Sequence, residues 1–184
     1  MDGTALKSLA SPAVEYRVTG ALILATGIVL GVAAVAIQKP GPAAFRFLFL
    51  AVFFGGIMYL ATYQRFLRKA VTQARHLPDP VTREDPAATR RRAVRKALLL
   101  SIFEVILALL FRDAALVGGI TAGGGAALLA ASRWIERWER EQGVQVLREP
   151  RWRWSRQGRW GWGRGRGAMD PQDFYVVRSE GPSP

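Results

Sequence analysis

Residues 97 to 131 constrain this chain more than any other stretch: they read ALLLSIFEVILALLF, break at Arg112-Asp113, and resume as AALVGGITAGGGAALLAA. A bilayer core about 30 Å thick takes roughly 20 apolar residues as helix, with about 17 as a workable minimum. The second arm, Ala114 to Ala131, meets that minimum. The first arm, Ala97 to Phe111, offers 15 residues between Lys96 and Arg112. It spans only if those long side chains reach outward to the interfaces. Two such arms joined by a charged turn predict a helical hairpin in an all-α membrane protein.

Two further apolar runs precede it. Thr19 to Ile37 holds 19 residues without a charge and is long enough to cross. Ala34-Val35-Ala36 would also fit a signal-peptide cleavage site, but the long leading segment and the long apolar run argue against cleavage. Gln38-Lys39-Pro40-Gly41-Pro42 predicts a turn, since Pro fixes φ and supplies no donor. A second span follows at about 44–63, with Arg46 snorkelling at its outer end and Tyr59 and Tyr63 at the opposite interface. The expected architecture is four transmembrane helices as two hairpins, at about 19–37, 44–63, 97–111 and 114–131. A segment 1–18 leads into them, a loop 64–96 joins the hairpins, and a basic, largely irregular tail covers 134–184.

Within the loop, residues 64–75 keep helical spacing. Phe66, Leu67, Ala70, Val71 and Ala74 lie on one side, with Arg65, Arg68, Lys69 and Arg75 towards the other, which suits a helix lying along a membrane surface. Asp85-Pro86 reads as an N-cap with Pro at the first helical position, so a helix starting there runs through Arg90-Arg91-Arg92 and Arg95 into the third span. The fourth span continues as SRWIERWEREQ to a C-terminal cap at Gly143. Trp134 and Trp138 fall in the aromatic belt, and Glu136 with Arg140 forms an i,i+4 pair. Residues 144–147 and 174–177 alternate like two short strands able to pair.

Half of the residues are hydrophobic (50%), yet mean hydropathy is only +0.10, so the apolar runs must be separated by strongly polar segments. The formal net charge is +12, which favours anionic partners. Of the 26 basic residues, 23 fall in alternate segments and 3 in the two short turns between them. The positive-inside rule therefore puts both termini and the central loop in the cytoplasm, as expected for the inner membrane of a bacterium. There is no Cys and a single histidine, His76, which removes thiol chemistry and the usual zinc and triad constellations. No catalytic motif is present, and no cofactor or metal is expected. His76 reads as a solvated loop residue.

Glu104 is the sharpest chemical feature. A carboxyl at the midpoint of an apolar span must be protonated, paired, or facing a wet cavity. Ser101 lies one turn earlier, and Thr26, Tyr59, Thr62 or Thr121 on other spans could hydrogen-bond to it. An interhelical polar contact is favoured over a proton or cation site, because no second intramembrane acid or base is visible. Gly27 and Gly31 in the first span, Gly119 and Gly123 in the fourth, and Gly55 in the second put small residues on helix faces, where backbones approach closely. Arg90, Arg91, Arg92 and Arg95 read as headgroup anchors. So do Arg151, Trp152, Arg153, Trp154, Trp160 and Trp162, since guanidinium meets phosphate while indole enters the headgroup layer. Single-stranded nucleic acid would satisfy the same groups by stacking. A tail tethered beside a membrane meets lipid first, so nucleic acid is the disfavoured partner.

The run FLFLAVFFGGIMYLATYQRFLRK entering a basic helix, and EVILALLFRDAALVGG turning at Arg112, together resemble the ATP synthase subunit I family of small four-span bacterial membrane proteins. The likeness is one of layout over about residues 18 to 133, and the Arg/Trp tail departs from the compact family pattern. It implies a non-enzymatic helper for insertion or assembly of a membrane ring, with a divalent-cation role, and carries no functional residue onto this chain. The expected function is a non-enzymatic membrane accessory, assembly or scaffold protein. Its expected partners are anionic lipid headgroups and a membrane protein or a second copy. The alternatives are a small ion- or proton-conducting oligomer using Glu104 and a membrane-tethered nucleic-acid binder.

Overall fold

The computed structural model describes residues 9–38, 40–76, 83–148 and 174–178. Five α-helices occur in chain order: α1 (Pro12–Ile37), α2 (Pro40–Ile57), α3 (Arg68–Thr72), α4 (Pro86–Phe111) and α5 (Ala114–Gln142). A π-helical segment, Met58–Leu67, joins α2 to α3 without a break. Three strands, β1 (Arg75–His76), β2 (Val144–Arg148) and β3 (Phe174–Arg178), form one sheet in the order β1-β3-β2.

Among the described residues, three stretches are long and apolar enough to cross a membrane: Pro12–Ile37, Gly41–Ala61 and Ala114–Gln142. The chain is thus mostly helical, with the character of a membrane protein. α4 is not among those stretches, because its apolar part covers only about 22 Å at about 1.5 Å per residue, so a stretch long enough to cross takes in Arg95 and Lys96 besides Glu104.

Several boundaries differ from those expected. α1 begins at Pro12, in the segment read as a leading tail, because Pro fits the first helical turn and Ala13 and Tyr16 have a core to enter. The reversal before α2 is shorter than the five-residue turn expected: Pro40 already opens the next helix. Past residue 57 the second helix continues without a break. It turns Leu67, Ala70 and Val71 inward, all buried in a core cluster with Tyr16, Ile135, Val146 and Phe174. The side chains of Thr62, Tyr63, Phe66 and Arg75 lie outside the described residues.

The caps follow local chemistry. Asp85 accepts a hydrogen bond from the Ala87 amide, with Pro86 at the first position of α4. Arg112 ends α4 in the left-handed region (φ 53°), and Asp113 then accepts from the Leu116 amide to open α5. Gly143 closes α5 at φ 62°, where a residue without Cβ is unstrained.

α5 is the central element. It packs most extensively against α1, next against α2, and far less against α4, which leans mainly on α1. Burial follows: 56% of the apolar window of α5 is buried against 6% for that of the second span. α2 and α4 therefore turn most of their apolar surface outward, including Phe45, Leu48, Phe49, Leu98, Phe103 and Leu110. Such faces call for a cover of lipid or of another protein, since a chain in water rarely leaves so large a contiguous apolar surface exposed.

The sheet caps one end of the bundle. β2 and β3 pair antiparallel with Val146 opposite Val176, and β1 joins β3 in parallel. Ala10 exchanges two backbone hydrogen bonds with Arg148, at 2.8 and 2.9 Å, and Leu9 bridges to Arg83. Five segments of the described chain thus end in one layer. Its inner face, with Val146 and Phe174, seats on Ile135 and Leu67, while Leu147 and Val177 on the outer face are covered by Leu9. Full burial of each such side chain contributes about 1.5–3 kcal/mol.

Candidate functional site

Within the apolar part of the bundle, polar side chains from α1, α4 and α5 converge. Ser101 Oγ lies 2.8 Å from Thr26 Oγ1, and Thr26 donates to the Leu22 carbonyl at 3.0 Å. With the threonine proton spent on that carbonyl, Ser101 donates the bond between the two hydroxyls. Glu104, one turn further along α4, lies close to Thr121 of α5. Its Oε2 is buried and has no partner among the described residues. An unmatched carboxyl oxygen in such surroundings costs several kcal/mol. The contact to Thr121 is of the interhelical kind expected. The orphaned oxygen is the part that packing does not explain.

Glycines set how the helices meet. A Cβ on Gly27 would stand 2.4 Å from the Ala122 amide nitrogen, and one on Gly125 would stand 2.4 Å from that of Leu24. A Cβ on Gly123 would come within 2.5 Å of the Ala51 carbonyl, and Gly119 is closed off by Phe47 and Leu50. Gly31 is filled by the Phe47 ring, and Gly55 faces Gly123. α5 therefore carries two close-approach faces, one for α1 through Gly118 and Gly125 and one for α2 through Gly119 and Gly123. The five glycines singled out from sequence all lie in these contacts. Gly20, Gly118 and Gly125 join them, and the four- and three-residue steps from Gly118 through Ala122 to Gly125 are the pattern that could have revealed the second face.

Where the bundle meets the sheet lies an ion cluster that sequence reasoning missed. Glu15 is buried and accepts from Lys96 at 3.1 Å and from Arg148 at 3.4 Å. Arg148, itself only 8% exposed, donates to the Tyr16 hydroxyl at 3.0 Å and lies over the rings of Tyr16 and Phe174 at 5.7 and 5.9 Å. One guanidinium so joins α1, β2 and β3, and Glu15 extends the link to α4. Nothing in the local sequence marks Glu15 or Arg148, because their partners are more than 80 residues away along the chain.

The remaining predicted residues divide. Arg90, Arg91 and Arg95 are exposed, as a headgroup anchor requires. Arg92 instead turns back to Glu84 in a two-pronged pair at 2.7 and 2.8 Å, because the loop before α4 brings that carboxylate beside it. Trp134 and Trp138 are partly buried against the core under the sheet rather than fully presented to lipid. Glu136 pairs with Arg17 rather than Arg140, whose Nε donates to the Glu136 carbonyl. Arg46 reaches Asp113 at 3.3 Å, joining the two outer turns instead of snorkelling freely. His76 is exposed in β1. Arg151, Trp152, Arg153, Trp154, Trp160 and Trp162 lie outside the described residues. Among the described residues, no cluster of three or more acids and histidines could hold a metal. No family model matches the sequence, and neither a curated protein nor a solved structure matches it.

Proposed function

We propose that this chain is a non-enzymatic inner-membrane accessory, assembly or scaffold protein that crosses the bilayer four times with both termini in the cytoplasm. One observation carries the reading: residues 9–10, 75–76, 83–84, 144–148 and 174–178 meet in one layer at one end of the helices. A chain whose polar segments all gather at one end returns to that end after each hairpin, which requires an even number of crossings. α4 is then the short crossing, with Lys96 and Arg112 extending it towards the interfaces. By sequence, 23 of the 26 basic residues fall in the segments assigned to that side, which orients it to the cytoplasm by the positive-inside rule. Such a protein acts through helix contacts in the bilayer and a cationic cytoplasmic surface. The layout resemblance to the ATP synthase subunit I family points the same way, towards assembly of a membrane complex.

The unpartnered Glu104 oxygen favours one second reading, a small conducting oligomer in which this carboxyl lines the path. Glu104→Gln separates the two. The accessory reading predicts that proteoliposomes of either form pass protons and monovalent cations no faster than empty vesicles, while the set of membrane proteins recovered with the Gln variant in mild detergent changes. Flux above background that the Gln variant abolishes, with the recovered partners unchanged, would transfer the assignment to conduction.

A further inference from the structure

Some of the described cations are paired with acids and others are not. Arg17, Arg46, Arg92, Lys96 and Arg148 each meet a carboxylate. Arg65, Arg68 and Lys69 are exposed, and none of them meets an acid among the described residues. These three border one shallow, open groove on a single helical stretch, together with Leu60, Gln64 and Thr72. The π-helical segment sets the spacing: hydrogen bonds from i to i+5 widen each turn, so residues four and five apart stand side by side. Leu60, Gln64, Arg65 and Lys69 consequently follow one another down a single face.

The groove straddles the edge of the apolar core. Leu60 belongs to the apolar stretch that ends at Ala61. Arg65 lies about 7 Å further along the helix, within a headgroup layer about 5–8 Å deep. The Thr72 hydroxyl is engaged with the Arg68 and Lys69 carbonyls, at 2.9 and 3.2 Å, so the donors facing outward are the Gln64 amide and the three cations. An apolar mouth followed by an amide and three cations that meet no acid among the described residues matches the long axis of an anionic phospholipid, from acyl chain to phosphate.

We propose that this groove binds the phosphodiester headgroup of an anionic phospholipid in the leaflet facing the sheet. The site rests on the membrane reading above and adds a defined location to it, separate from Arg90, Arg91 and Arg95. Phosphatidylglycerol is titrated into the full-length protein in neutral detergent, and bound lipid is counted by native mass spectrometry, with phosphatidylcholine as the uncharged comparison. Each cation near a lipid surface contributes on the order of 1 kcal/mol, so R65Q/R68Q/K69Q is expected to lose about thirtyfold or more in phosphatidylglycerol affinity. R83Q/R140Q/R178Q removes the same charge from exposed positions at the sheet end and is expected to lose less than about threefold. Excess inorganic phosphate should leave the lipid in place. Unchanged affinity in the first variant, equal losses in both, or displacement by phosphate would each overturn the site. If the triple variant does not insert, R68Q alone decides, with about a fivefold loss expected and no loss overturning the site. Wild-type protein that stays in solution without detergent would instead overturn the membrane reading.

Discussion

Replacing Gly27 with alanine is expected to destabilise the bundle by about 3 kcal/mol or more, whereas the same change at Gly124 leaves it as stable or slightly more so. The new methyl at Gly27 would sit 2.4 Å from the Ala122 nitrogen and 2.7 Å from its Cα. Both are backbone atoms of the central helix, so relief requires moving α5 away from α1 along the largest contact in the fold. In lipid, helices associate through dispersion at close range, so a small separation forfeits many contacts at once. Nothing stands within 4 Å of a methyl on Gly124, and helix propensity there improves by up to about 1 kcal/mol. Thermal loss of the monodisperse peak in mild detergent compares the two. Equal midpoints for both variants would show that α1 and α5 do not meet at this distance.

The second large effect is expected from Arg148→Met. Removing one partner of a buried ion pair costs about 3–5 kcal/mol, because the other charge remains buried and uncompensated. Here Glu15 would be left with Lys96 alone, Tyr16 would lose its donor, and Phe174 would lose the cation over its ring. The damage falls on the sheet rather than on the helices in the bilayer, since β2 and β3 are held to α1 through this guanidinium. Tryptic cleavage at Arg83, read on the intact protein in bilayers, is expected to rise by about two orders of magnitude as the open population grows. E15Q/R148M should recover part of the loss, because it removes both charges and leaves Lys96, 39% exposed, free to turn towards water. Cleavage unchanged in R148M would mean that Arg148 does not join these elements.

Much of the architecture is legible because the forces that set it are local. Apolar run lengths mark the helices, Asp85-Pro86 and Gly143 mark two ends, and the alternation in 144–147 and 174–177 marks the paired strands. The glycines are legible too, since four-residue spacing puts them on one face wherever the helix goes. Missing from the sequence are the partners. By sequence Tyr16 belongs to a leading segment and Leu67 and Val71 to the apolar side of a surface helix, and only the sheet arriving from residues 144–148 and 174–178 makes their site a core. Arg92 and Trp138 follow the same rule: a carboxylate or an apolar cluster supplied by a distant segment overrides the preference of an isolated helix for headgroups. Glu104 was found by its cost in an apolar run. Its neighbour Thr121 could be narrowed only to four hydroxyls, because depth alone does not fix which helix faces which.

The most direct measurement uses the absence of cysteine: single cysteines placed at Gln38, Arg83, Arg112 and Arg140 are probed in intact cells with an impermeant maleimide. Four crossings with the sheet inside predict labelling at positions 38 and 112, and labelling at 83 and 140 only after permeabilisation. Positions 83 and 112 reacting from the same side would contradict it, because α4 would then not traverse the bilayer.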